Sequence, residues 1–199
     1  MRTMRFVPYL LISILNLIGA DYAQAFICSE GGFSISMPGE PILKQVDHKS
    51  LVGNVKEYSY TFENQTEKYT SSYTKLPGIA FDFLSNEALL NKARKGFLKS
   101  KGARQVSYKK IAFEGNGGTE LAFQLMPENN ASVTGGKARF YIVGKTMYVL
   151  VMVSIRGADG ETLIDRYLNS FRLLSIPRLS TIEPHTESVH GNSSNQACS

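Results

Sequence analysis

From residue 33 to residue 155 the sequence keeps returning to one pattern, short runs in which apolar and polar residues alternate. Side chains along a strand point to opposite faces in turn, so a period of two buries one face and wets the other. Phe33-Ser34-Ile35-Ser36-Met37 is the plainest case, and Pro38-Gly39-Glu40-Pro41 follows as a turn. Ile42 to Val46 is placed to pair back on that strand. Val55 to Phe62 sets Tyr58, Tyr60 and Phe62 on one face, Asn64-Gln65-Thr66 reads as a hairpin tip, and Tyr69 to Leu76 returns with Tyr69 and Tyr73. A short segment, Ile79 to Phe83, has Asp82 on the polar side of its strand. Gln105–Phe113 and Thr119–Met126 flank the turn cluster Gly115-Asn116-Gly117-Gly118, and Lys137–Val143 and Thr146–Ile155 flank the two-residue hairpin Gly144-Lys145. Val149 to Val153 is apolar on both faces, the mark of a central strand.

Two segments switch to the helical period. Ser85 is an N-cap for a helix ending near Gly102, with Leu89, Leu90, Ala93 and Phe97 in a sector about 100° wide. Gly96 borders that sector and is expected to bring the helix close to the sheet. From Glu161 to Phe171 a second apolar face forms from Leu163, Ile164, Tyr167, Leu168 and Phe171. The residues therefore predict an α+β domain: a mostly antiparallel sheet of about six to eight strands with two helices packed against one face. Strands alternate with helices too rarely for a doubly wound parallel sheet.

The ends of the chain read differently. Arg2 and Arg5 precede an uncharged, largely apolar run from Phe6 to Ala20, and Ala23-Gln24-Ala25 has the small residues that a signal peptidase reads. The run is shorter than the roughly 20 residues of a spanning helix. These features predict a signal peptide over 1–25, a single domain over 26–176 and a flexible polar tail over 177–199, with no stable membrane span after cleavage and an exported, periplasmic or extracellular location. Ile27 in place of a small residue before Cys28 speaks against a lipoprotein.

Cys28 and Cys198 are the two cysteines. An even count in an oxidising compartment makes them a candidate disulfide tying the tail to the start of the domain; the alternative is two separate thiols. Removal of the leader leaves 20 basic and 16 acidic residues, a mild bias that does not read as nucleic-acid binding.

The strongest surface feature is a basic run, Lys92, Arg94, Lys95, Lys99, Lys101, Arg104, Lys109 and Lys110, with no acid among them. It is either a solvated helix face with the strand beside it or a docking face for an anionic partner. The hairpin aromatics Tyr58, Tyr60, Phe62, Tyr69 and Tyr73 are either cross-strand core pairs or an outward contact patch.

Catalytic and metal signatures are weak. His185 and His190 lie in the tail, and His48 is placed in a loop beside Asp47. The nucleophile-elbow, zinc-protease and phosphate-loop patterns are absent, so no catalytic, cofactor or metal residue is assigned. Glu114 and Glu120 read as exposed acids flanking the glycine turn. Asn64, Asn130 and Asn192 begin glycosylation patterns, which matter only in a eukaryotic source, and a bacterial one is expected.

One family resemblance is carried by Phe33-x-Ile35-x-x-Pro38-x-x-Pro41, the long aromatic hairpin, the amphipathic helix, Arg139-x-Tyr141-x-Val143, Tyr148-x-Leu150-x-Met152 and the closing Tyr167-Leu168-Asn169-Ser170-Phe171-Arg172-Leu173. Over residues 31–176 the chain resembles secreted bacterial proteins with the PsbP-like α/β/α sandwich, a fold called after an extrinsic subunit of photosystem II. The resemblance implies a non-enzymatic scaffold, an accessory or assembly factor that binds another protein, and it transfers no site residue. The functional expectations are, in order, an exported binding or assembly-factor module without catalysis, a binder of anionic envelope components through the Lys92–Lys110 face, and an enzyme with an unrecognised site.

Overall fold

The alternating runs become strands almost run for run. A computed structural model describes residues 24–50, 53–125, 134–155 and 157–174. In chain order these form β1 (Gln24–Cys28), β2 (Phe33–Met37), β3 (Ile42–Ser50), β4 (Gly53–Glu63), β5 (Glu67–Lys75), α1 (Ile79–Phe83), α2 (Asn86–Ser100), β6 (Ala103–Phe113), β7 (Asn116–Leu125), β8 (Thr134–Val143), β9 (Thr146–Ser154), α3 (Gly157–Asn169) and β10 (Arg172–Leu173). A seven-stranded sheet has the order β3-β4-β5-β9-β8-β7-β6, and a three-stranded sheet has the order β1-β2-β10. Every pairing in both is antiparallel. The α+β class and the strand count of the main sheet agree with the pattern in the residues.

β9 lies at the centre of the large sheet, and its two faces explain the layering. Tyr148, Leu150 and Met152 join one core, with Tyr69, Tyr73, Tyr141, the β2 residues Phe33, Ile35 and Met37, and Ile164, Tyr167, Leu168 and Phe171 around α3. Met147, Val149, Val151 and Val153 pack on the other, formed by Ala80, Leu89, Leu90, Leu121, Phe123, Ala138, Phe140 and Ile142. A strand apolar on both faces needs a cover on both. The two helices accordingly lie on opposite faces of the sheet, which corrects the one-sided arrangement expected from periodicity. The layers are α1 with α2, then the large sheet, then α3 with the small sheet.

Other local expectations are revised. Ile42–Val46 does not return to β2, which is already hydrogen-bonded on both sides by β1 and β10; it opens β3, which pairs along its whole length with β4. Ile79–Phe83 is a single helical turn rather than an extended segment. Ala80 is buried, Phe81 and Leu84 are half-buried against the same core, and Asp82 and Phe83 face solvent, a helical spacing. The glycine turn sits earlier than expected. Glu114 and Gly115 are its two central residues, both with positive φ (48° and 76°), and Asn116–Gly118 already belong to β7. Gly118 lies where the Tyr141 ring and the Phe140 carbonyl crowd the space a Cβ would take.

α2 begins as expected. The Ser85 hydroxyl accepts from the Ala88 N–H at 3.2 Å, and Gly102 follows the last turn with φ 56°. Gly96 does not mediate a close approach, because it is exposed and nothing lies near it. α3 starts at Gly157, before the expected Glu161. Residues 1–23 of the expected signal peptide, the whole of the expected tail (177–199, with His185, His190, Asn192 and Cys198), and Met126 and Asn130 lie outside the described residues.

Candidate functional surfaces

Strand alternation divides the basic run. Lys109 and Lys110 are neighbours on β6 and therefore face opposite sides of the sheet. Lys110 reaches back to Glu87 in the first turn of α2 at 2.8 Å, and Lys109 meets Glu120 at 2.9 Å on the α3 side. Arg94 is half-buried: its guanidinium lies 4.5 Å from the centre of the Tyr108 ring and donates to Gln105 and Asn91, fixing α2 to β6. Arg104 donates to Gln124 at 2.6 Å. The remaining four, Lys92, Lys95, Lys99 and Lys101, are exposed, and no ion pair among the described residues holds them. Lys92, Lys95 and Lys99, spaced three and four apart, form one stripe on the outer face of α2. The eight cations are thus not one patch: four have side-chain partners, of which only Arg94 is half-buried, and four are exposed without an ion pair among the described residues.

Glu120 differs most from its expected state. It is buried, with its side chain 9% exposed, and sits between Lys109 on β6 and Arg139 on β8 in a single cross-strand row. Arg139 donates to Glu120 at 2.6 Å, to the Leu168 carbonyl at 3.1 Å and to Asn169 at 2.8 Å, so it joins the sheet to the C-terminal end of α3. Burial works against the carboxylate, but hydrogen bonds from Lys109 and Arg139 outweigh it and hold the group below the usual carboxylate range. Lys137 and Asp165 make a second tie between sheet and α3 at 2.7 Å. The only hint in the residues was an acid inside a largely apolar strand; the cations on both sides of it enter through the register alone.

The hairpin aromatics are core pairs. Tyr58 and Tyr73 face each other across β4 and β5, stacked at 4.9 Å with 8° between ring planes, and Phe62 opposes Tyr69 at 6.1 Å. Above this floor runs the turn from Ser29 to Gly32, held from several directions. The Gly31 N–H donates to the Cys28 sulfur at 3.3 Å, the Tyr148 hydroxyl donates to the Gly31 carbonyl at 2.8 Å, and the Leu174 N–H donates to the Gly32 carbonyl at 2.9 Å. A Cβ on Gly31 would collide with the rings of Tyr73 and Phe33, so only glycine lets the turn lie this low. The turn carries Glu30, whose carboxylate accepts from the Tyr73 hydroxyl at 3.5 Å. Burial, with Cys28 and Glu30 nearby, pushes the Tyr73 phenol up to about 12. Glu30, Lys56, Tyr58, Tyr73 and Lys75 line a cavity of about 300 Å³.

Cys28 is a buried thiol that donates to the Tyr60 hydroxyl at 3.5 Å. Its expected partner, Cys198, lies outside the described residues. His48 is on β3 and not in a loop, and its Nε2 lies 2.7 Å from Glu57 on β4. No group of three or more metal-ligating side chains occurs among the described residues. Nor is any helix among them long and apolar enough to cross a membrane.

No family model matches the sequence, and no curated protein matches it. Solved structures do. Cyanobacterial PsbP from Synechocystis sp. PCC 6803 is similar at 14% identity and a TM-score of 0.53, covering 81% of this chain and 98% of that one. A Pseudomonas aeruginosa protein of unknown function, PA94, matches at 7% identity and a TM-score of 0.39 over 75% of this chain and 95% of that one. At such identity a likeness speaks to architecture alone, and the first of these shows that the layered sheet described above is a PsbP-like fold.

Proposed function

We propose that the chain is an exported, non-catalytic binding module of the accessory or assembly-factor kind, and that its partner is another envelope protein with an acidic surface. The observation that carries the proposal is the division of labour on α2: its inner face is seated on the sheet, while Lys92, Lys95 and Lys99 stand in a row outside without ion-pair partners among the described residues. Uncompensated like charges on one face weaken the helix slightly and favour an anionic partner. Export is supported by the leader and by what a cut after Ala25 would remove. Gln24 and Ala25 are exposed, whereas Phe26 packs on the core and Cys28 is buried, so the cut would spare the residues that anchor β1. The PsbP-like fold is in keeping with a scaffold that acts by docking.

In the test, the protein carrying a photoreactive side chain at Lys95 is crosslinked in its native envelope. One acidic protein should be captured in preference to others, and capture should fail when Lys92, Lys95 and Lys99 are changed to Gln. A second reading draws on the same stripe: contact with an anionic envelope surface. It predicts co-sedimentation with anionic vesicles that declines steeply between about 50 and 200 mM salt, with no single protein captured. If a correctly exported protein yields neither result, the docking proposal is overturned; vesicle binding without capture of one protein replaces it with the second reading.

A further inference from the structure

Gly96 stands in the interior of α2, and nothing within the fold requires a glycine there. Glycine serves a helix where another backbone comes close or where φ must be positive. Neither applies: a Cβ at Gly96 would meet no atom within 4 Å, and its φ is not among the positive ones. Glycine weakens a helix interior more than any residue except proline, so α2 is less stable for having it. Gly96 is exposed, and it follows Lys92 by four residues and precedes Lys99 by three, which makes it a neighbour of both on the helix surface. The lysine row runs about 10 Å along the helix axis, and the missing side chain leaves a notch within it.

A notch gives nothing to a flat anionic surface, which touches only the tips of the lysines. It does serve a partner whose backbone crosses the helix, because packed helices approach most closely where the residue at the crossing is small. The charge of that partner follows from the face itself. Lys92, Lys95 and Lys99 make no ion pair among the described residues, and the sequence has no acid between Glu87 and Glu114. We propose that α2 docks against an acidic α-helix of its partner, which crosses at Gly96 and sets carboxylates spaced three and four residues apart against Lys92, Lys95 and Lys99. The proposal rests on the docking reading of α2 and names the element of the partner that α2 meets.

The probe is a labelled alanine-based helical peptide with glutamates at i, i+4 and i+7 on one face, titrated into the exported protein at low salt and followed by fluorescence anisotropy. Saturable binding is expected, about fivefold tighter or more than that of a peptide of the same composition with its glutamates spread around the helix. Gly96→Lys adds a cation but fills the notch, and should weaken binding of the one-faced peptide about tenfold or more. Lysine is the better helix former and nothing lies near the site, so this variant should melt at or above the parent; Gly96→Gln takes its place if it does not. No saturable binding, equal binding of the two peptides, or binding kept or strengthened by Gly96→Lys would each overturn the proposal. Crosslinking from position 95 in the native envelope separates this failure from that of the docking reading. Capture lost on changing the lysines but kept with Gly96→Lys removes only the helix crossing, whereas capture that survives the lysine changes removes the docking reading itself.

Discussion

α2 and α3 cover opposite faces of one sheet, yet they are attached in different ways. α3 is enclosed: Ile164, Tyr167 and Leu168, with Phe171 just beyond its end, are buried against the large sheet beside the small one, and Lys137 and Arg139 reach up from β8 to hold its polar side. α2 buries Leu89 and Leu90, but Ala93 and Phe97 are only half-covered, and its outer face is wet. On the α3 side charge is used for construction. On the α2 side, apart from Arg94 and the Glu87–Lys110 pair, it is left at the surface. That difference teaches where to look for each property: stability resides mainly beneath α3, and recognition has room on α2.

The largest expected effect tests the aromatic side of this contrast. Phe171 is 1% exposed and its ring meets Phe33, Phe113, Tyr141 and Tyr148. Phe171→Ala should cost about 3–5 kcal/mol in denaturant unfolding. Phe97→Ala on α2, which loses contacts with Phe123 and Phe140, should cost about 2 kcal/mol. Equal losses would show that the helices are anchored alike.

Next comes the charged row. Arg139→Met leaves Glu120 buried with Lys109 alone and should cost about 3 kcal/mol, whereas Lys110→Ala, which frees only the exposed Glu87, should leave the unfolding midpoint unchanged. The row also sets a pH dependence. Because the folded Glu120 titrates below its ordinary 4.5, its stabilising contribution is fully present above that value and is lost as pH falls through the lower folded one. Acid unfolding curves of Glu120→Gln should show less loss below pH 4.5 than the parent; a parallel curve would remove the row from the account.

How much of this was legible in the sequence varied with the range of the interaction. Strands, the Ser85 cap and the apolar faces of both helices depend on neighbours a few residues away, and period and turn chemistry reveal them. The stacking of helices on both faces was also legible, in principle, from Val149–Val153, since a strand apolar on both sides cannot leave one bare. What failed was long-range. Nothing near Ile42 says that β2 is already paired on both sides, one of its partners coming from residues 172–173. Glu120 looked exposed because its partners, Lys109 and Arg139, enter only through the register of three strands. The cavity escaped for the same reason: Glu30, Lys56 and Lys75 belong to separate elements and no motif joins them.

A smaller effect probes the seal beneath α3. The Tyr167 hydroxyl and the Ser71 hydroxyl are both buried and near each other, but neither makes a hydrogen bond of normal geometry. An unpartnered buried hydroxyl lowers stability, so Tyr167→Phe should be neutral or stabilising by up to about 1 kcal/mol. A loss above about 2 kcal/mol would mean that the two hydroxyls are bonded and that the α3 core is tied together at this point as well.

The smallest effect on stability is expected where the largest effect on recognition is proposed. Lys92, Lys95 and Lys99 make no ion pair among the described residues, and none of them belongs to the apolar core. Changing all three to Gln should leave thermal melting of the purified protein within error of the parent, or raise it slightly through relief of like-charge repulsion along the helix. A clear fall in melting temperature would show that the stripe helps to hold α2 in place. The contrast between a constructive face and a surface left for partners would then be wrong on the side where the docking proposal needs it.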